Sequence, residues 1–317
     1  MSWKPIANLA ALRYRAELLR DIREFFSARK ILEIETPLLS AHTATDPSLG
    51  SFCVEGGGSS GTSGYLQTSP EHAMKRLLAM QGEPVFQICK AFREGEAGPR
   101  HNPEFTLLEW YRPGLDDRAL MQEVAELVCT VLGRLPEHTF RYRELFLQQL
   151  SIDPHDTTCG QLRALAQELV DCGDLGEDKD AWLDLLMTHV IEPTLPTGHL
   201  CFVCDYPASQ AALAKVESVE GKMIARRFEL YVNGMELANG YSELTDAPEQ
   251  RRRFELDNQK RREQGLTEVP LDENLLAAMK HGLPECSGVA LGVDRLLMLA
   301  MGAADIREVL AFPWDNA

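Results

Sequence analysis

The spacing of apolar positions changes from segment to segment along the chain, and each spacing predicts an element. Leu12, Leu18, Leu19, Ile22, Phe25 and Phe26 recur at helical intervals, which predicts an amphipathic helix over about Leu9–Ala28. "ILEIETP" alternates as a strand and stops at Pro37. In "TSPEHAMKRLLAM", Ser69 reads as the N-cap and Pro70 falls in the first turn, with Met74, Leu77 and Leu78 pointing inward. Residues 84–93 and 104–112 read as two strands, and the 11 residues 94–104 make an unusually long, charged connection between them.

Residues 115–134 predict another helix, and 151–200 read as helical and acidic around a surface loop, "DCGDLGEDKD". "RRFELYVNGMELANGY" is a hairpin signal around Asn233-Gly234. "TDAPEQRRRFELDNQKRREQG" predicts a helix capped by Asp246, with Glu249 completing a capping box and Gly265 as the stop. A strand, a helix beginning near Val293-Asp294 and a short "VLAFPW" strand close the pattern. Helices and strands come in runs with several hairpins, which favours an α+β fold around an antiparallel sheet. All 317 residues read as a single domain with a helical insertion at about 151–200.

Composition changes this picture little. The chain is 44% hydrophobic and 25% charged, as globular proteins usually are. A net charge of −16 argues against a general nucleic-acid binder, which needs a basic face. The N-terminus lacks the unbroken apolar core of a signal peptide, and no stretch approaches the ~18 apolar residues of a membrane span. The eight cysteines are scattered through apolar segments, which suits reduced thiols and a cytoplasmic location. "CFVC" at 201–204 has no second C-x-x-C, so it reads as core strand in preference to a metal site. The Gly/Ser-rich stretch 56–64 reads as a surface connector. The arginine run of 251–253 alternates with acids and amides and reads as a solvated helix face.

Candidate chemistry gathers on the strand 104–112. A period of two puts Phe105, Leu107, Glu109 and Tyr111 on one face and Thr106, Leu108, Trp110 and Arg112 on the other. A carboxylate flanked by aromatics either marks a polar sheet edge or floors a pocket for a cation. Arg93 ends the neighbouring strand, where a guanidinium can grip a phosphate through two hydrogen bonds. Glu71, in the first turn of its helix, reads most simply as compensation of the helix dipole. Arg295 sits in the first turn of the last long helix, where a cation opposes the dipole. An anionic ligand would account for it, and so would a surface pair with Asp294. Glu236 and Glu243 can share Mg²⁺ with phosphate oxygens. Seven residues apart on a regular strand they would face opposite ways, unless Asn239-Gly240 introduces a bulge.

"FREGEAGPRHNPEFTLLEWY", "MELANGYSEL" and "GVALGVDRLLML" resemble motifs of the class II aminoacyl-tRNA synthetases, specifically of the lysyl type. The resemblance runs from the first helix through "IREVLAFPW". It implies an antiparallel sheet flanked by helices, with residues 10–37 contributing to a homodimer interface. Lysyl-tRNA synthetases carry an N-terminal OB-fold domain that reads the anticodon, and the resemblance here begins only after it. With the acidic charge, this points away from tRNA. It points to the truncated lysyl paralogues that activate (R)-β-lysine with ATP and attach it to a lysine of elongation factor P. Ala290 agrees, since those paralogues resemble this chain in carrying alanine where lysyl-tRNA synthetases usually have glycine.

By the same resemblance Arg93 meets the α-phosphate, Phe105 stacks on adenine and Arg295 meets the γ-phosphate. His101, Asn102, Leu237 and Gly292 line the ATP site, and Glu236 and Glu243 bind Mg²⁺. Ser69, Pro70, Glu71, Glu109, Tyr111, Glu243 and Ala290 surround (R)-β-lysine or lysine. One departure is visible. Related chains often read Arg-Asn-Glu after the phenylalanine, whereas this one reads Arg93-Glu94-Gly95-Glu96, so either Glu94 or Glu96 takes the expected ATP contact. A minimal enzyme charging tRNA and a silent regulatory paralogue are the competing expectations.

Overall fold

The computed structural model describes residues 3–58 and 61–317, so Ser59 and Ser60 of the Gly/Ser-rich connector lie outside the described residues. The chain divides into two compact units, one built from residues 1–133 and 243–317, the other from 134–242.

In chain order the first unit begins with α1 (Leu9–Ala28), capped by Asn8, whose side chain accepts from the Ala11 N–H at 3.0 Å. Short strands β1 (Leu32–Glu33), β2 (Leu39–Ser40), β3 (Cys53–Val54) and β4 (Gly64–Leu66) follow, then α2 (Glu71–Gln81). The hairpin β5 (Val85–Phe92) and β6 (Glu104–Pro113) leads into α3 (Asp117–Leu132). The second unit runs β7 (Glu137–Arg141), α4 (Tyr142–Leu150), α5 (Cys159–Leu169), α6 (Lys179–Leu186), β8 (Leu200–Pro207), β9 (Val216–Val219), β10 (Lys222–Val232) and β11 (Met235–Ser242). The first unit resumes with α7 (Ala247–Glu263), α8 (Glu273–Gly282), β12 (Cys286–Gly292) and α9 (Val293–Met301).

The sheet of the first unit has the order β1-β5-β6-β12, antiparallel except where β1 joins β5 in parallel. One face of β6 packs on helices. Phe26 of α1 stacks on Phe86 at 4.4 Å between ring centroids and meets Trp110 edge-on at 5.3 Å. Trp110 is fully buried and its indole N–H donates to Glu123 of α3 at 2.9 Å, which satisfies the one polar atom that burial would strand. Arg112 pairs with the other Glu123 oxygen. Burying each such aromatic side chain stabilises the fold by about 1.5–3 kcal/mol.

The second unit has its own core, in which Tyr142, Phe146, Leu162, Trp182, Leu186 and Ile191 pack together. Its sheet runs β11-β10-β8-β7, with β9 added to β10 and β7 parallel to β8. Asn233 and Gly234 take φ of 52° and 67°, the left-handed pair that a tight two-residue hairpin requires. Cys201 and Cys204 are free and buried in β8, as expected of core strand.

Several expectations need correction. The "ILEIETP" strand shrinks to Leu32–Glu33, extended by one bond from the Ile34 N–H to Phe86 O. "VLAFPW" forms no strand; the backbone N–H groups of Ile6 and Ala7 donate to Ala311 and Leu310, and the chain then turns into a short 3-10 helix at Trp314–Asn316. Asp246 caps α7, but the Glu249 carboxylate turns to Arg252 and Arg253 in place of the backbone, because two guanidiniums outbid one N–H. Residues 137–150, left without an element by the sequence pattern, form β7 and α4.

Candidate active site

The face of β6 opposite Trp110 carries the candidate chemistry. Register fixes its neighbours: Glu109 stands between Gln87 on β5 and Ala290 on β12, Tyr111 between Val85 and Gly288, and Leu107 between Cys89 and Gly292. Cross-strand partners share a face, so Gly288, Ala290 and Gly292 keep the wall beside Glu109 and Tyr111 low. The predicted alternation of 105, 107, 109 and 111 is borne out by the Tyr111 hydroxyl, which donates to Glu109 Oε1 at 2.7 Å.

α2 brings in the other groups. Pro70 occupies the cap position, so the helix begins one residue later than a Ser69 cap would give; even so, Ser69 Oγ accepts from the Glu71 N–H at 3.0 Å. The same hydroxyl donates to Glu109 Oε2 at 2.9 Å. Met74 and Leu78 are buried as expected and Leu77 is half-buried. Sequence reasoning missed Lys75. It is 1% exposed, and its ammonium lies 2.5 Å from Glu71 Oε1 and 2.6 Å from Glu243 Oε2. The available signal was position: Lys75 falls on the stripe of Met74 and Leu78, where a lysine needs buried partners.

Ser69, Pro70, Glu71, Glu109, Tyr111, Glu243 and Ala290 thus converge on one acidic floor. Burial, and after it the nearby Glu71 charge, pushes the Glu109 carboxyl up to about 8 despite the hydrogen bonds from Tyr111 and Ser69. Burial raises Glu243 to about 7 against the pull of Lys75. Burial by itself would lower Lys75, but Glu243 and Glu71 outweigh it and hold the ammonium charged.

Beyond the other end of that face lie the remaining groups. Arg93 stands 5.1 Å over the Phe105 ring, pairs with Glu96 at 3.5 Å and has a buried Nε without a hydrogen-bond partner. Gly95 takes φ of 83°, which explains a glycine between the two glutamates. Glu94 turns aside, its N–H bonded to Gly50 O at 3.0 Å. Arg295 donates to His101 Nε2 at 2.6 Å and to Arg100 O at 3.4 Å. Burial, and next the Arg295 charge, lowers the His101 imidazole, in keeping with an unprotonated Nε2 that accepts. Asn102 donates to Glu104 O at 2.6 Å and accepts from the Trp314 N–H at 2.9 Å, so its amide braces the connection. The Arg295–Asp294 surface pair is overturned: Asp294 is buried, pairs with Arg15 and accepts from the Thr106 N–H at 2.7 Å.

Glu236 and Leu237 belong to the second unit, on β11. A bulge does occur there, but at Leu237, opposite the Leu230–Tyr231 step, and not at Asn239-Gly240. Among the described residues no three His, Cys, Asp or Glu side chains cluster as a metal site. Glu243 Oε1, buried without a hydrogen-bond partner, fits one ligand of a Mg²⁺ ion that takes its other ligands from phosphate and water. No described helix is long and apolar enough to cross a membrane.

Comparison with known proteins gives a consistent result. Residues 6–316 match the family of class II tRNA synthetases (D, K and N). The chain is 50% identical over 320 residues to an elongation factor P–(R)-β-lysine ligase of Pseudoalteromonas translucida, covering 99% of this chain and 98% of that protein. It is 48% identical over 322 residues to the ligase of that name from Pectobacterium atrosepticum, and 49% identical over 321 residues to the one from Salmonella typhi, each covering 100% of this chain and 98% of the relative.

Proposed function

Because this chain belongs to the class II tRNA synthetases of the D, K and N group, we propose that it is an ATP-dependent ligase that joins (R)-β-lysine to a lysine of elongation factor P. The observation that carries the reading is the acidic floor of Glu71, Glu109 and Glu243 on the sheet that also bears Arg93. Such a floor suits a substrate with two ammonium groups, and the arginines suit a triphosphate. Ala290 stands in register beside Glu109, where its methyl narrows the floor and favours an amine displaced from the α-carbon.

In the first step the substrate carboxylate attacks the α-phosphorus, the bond to the bridging oxygen breaks, and pyrophosphate leaves. Arg93 holds the α-phosphate, with Phe105 against adenine, and Arg295 meets the γ-phosphate. Their fixed charges stabilise the developing negative charge without reorganisation. Mg²⁺, held by Glu243 and the phosphates, would supply further charge neutralisation. Glu96 already pairs with Arg93, so of the two shifted glutamates it is the one poised to orient that guanidinium. In the second step the acceptor lysine attacks the acyl carbon as a neutral amine, AMP leaves, and an amide forms. A lysine with a pKa of about 10.4 must first give up a proton. The exposed Leu9 and Leu32, 61% and 55% exposed, support a homodimer through α1 and β1.

The test is ATP–pyrophosphate exchange with each lysine isomer, followed by mass analysis of elongation factor P. Exchange with (R)-β-lysine and a mass gain on one lysine are expected. Active exchange with no mass gain would remove the acceptor assignment, and charging of tRNA would favour the synthetase reading.

A further inference from the structure

Glu71 and Glu243 are not vacant, since one resident ammonium joins them. Lys75 reaches from α2, buried, to 2.5 Å from Glu71 and 2.6 Å from Glu243. Burying an ammonium and a carboxylate costs several kcal/mol each, and an apolar side chain at 75 would avoid that. Surface pairing cannot explain it either, since Lys75 is 1% exposed.

The groups facing Lys75 define what it does. Glu71 comes from its own helix and Glu243 from the segment before α7. Glu109 and Tyr111 stand on β6, within electrostatic reach of both acids, and Cys89 on β5 lies near Glu109. Left alone, three carboxylates so close together would take up protons. A protonated carboxyl does not attract an ammonium. Glu109 lacks a cation of its own and accepts only from hydroxyls.

We infer that Lys75 is a positioning residue for amino-acid recognition: its ammonium keeps Glu71 and Glu243 ionised and at fixed separation, so that the floor offers charged oxygens to the incoming ammonium. This rests on the floor being the amino-acid site. The substrate then meets an arrangement already neutralised in part, with Glu109 as the carboxylate not yet matched by a cation.

The test is Lys75→Met, which keeps length and removes charge, in ATP–pyrophosphate exchange with (R)-β-lysine from pH 6.5 to 9. KM for the amino acid should rise on the order of ten-fold or more at pH 7, as loss of a buried charge partner implies. The rise should shrink toward pH 9 as Glu71 and Glu243 ionise unaided, while KM for ATP stays constant. Lys75→Arg should keep the parental pH profile. An unchanged KM–pH profile in Lys75→Met, or an equal rise in KM for ATP, overturns the inference. If Lys75→Met does not fold, the unmodified enzyme labelled with ¹⁵N-lysine decides: the protected Lys75 ammonium signal should shift on adding (R)-β-lysine and stay put on adding ATP alone. A signal indifferent to the amino acid overturns the role. Absence of exchange in the parent enzyme with either isomer would instead remove the ligase reading.

Discussion

Gly288 faces Tyr111 across the β6–β12 pair so closely that a Cβ at 288 would lie 2.3 Å from Tyr111 Cε1 and 2.5 Å from Glu243 Oε1. The missing side chain is the space those two groups occupy. Gly288→Ala should push both aside and overpack the floor, costing about 1–3 kcal/mol in stability. Denaturant unfolding checks that cost, and amino-acid KM should rise with it. A variant as stable and as active as the parent would show that the floor has slack.

Asp294 ties three elements together, pairing with Arg15 of α1 and accepting the Thr106 N–H of β6 from its own place in α9. Asp294→Ala leaves a largely buried guanidinium and a buried N–H without their acceptor, so a loss of about 3–5 kcal/mol is expected. Chemical unfolding measures it. Asp294→Asn should lose less, since its amide oxygen can still accept.

Glu109 carries a pH dependence with a definite sign. Its folded pKa of about 8 lies above the ordinary 4.5, so the native state binds the proton more tightly than the unfolded chain. Its contribution favours folding below pH 4.5 and is lost as pH rises from there through 8. Glu109→Gln, neutral throughout, should gain stability relative to the parent between pH 5 and 8, by at most a few kcal/mol. The difference in melting temperature across that range reads it directly, and a constant difference would contradict the shift.

His101 reports on Arg295. The guanidinium donates to Nε2 and helps to lower the imidazole, so Arg295→Ala should move the His101 titration upward. Nuclear magnetic resonance of the imidazole protons follows that shift. The same variant should weaken ATP in exchange assays by roughly ten-fold or more, the effect of removing one charged phosphate contact.

The β5–β6 hairpin was legible because strand alternation assigns faces without knowledge of the fold, and α1 because its apolar repeat has one period. Lys75 was not legible: a lysine four residues after a glutamate ordinarily marks a solvated helix pair. What buries it is Glu243, more than 150 residues later, and no local pattern encodes that contact. Glu123 was hidden in the same way, as its partners Trp110 and Arg112 lie on another element. The "VLAFPW" strand failed because β-propensity predicts extended backbone, while a sheet also needs a neighbour with free hydrogen-bonding groups, and only Ile6 and Ala7 offer them.

Asn102 gives the C-terminus a duty beyond ending the chain. Its amide holds the Trp314 N–H, and the Ile306 N–H donates to Pro99 O at 2.7 Å, so the last dozen residues clasp the 94–104 connection from outside. Anything fused behind Ala317 pulls on the loop proposed to hold the nucleotide. Affinity tags and fluorescent reporters therefore belong at the other end of the chain, and a loosened C-terminus would register first as weaker ATP binding.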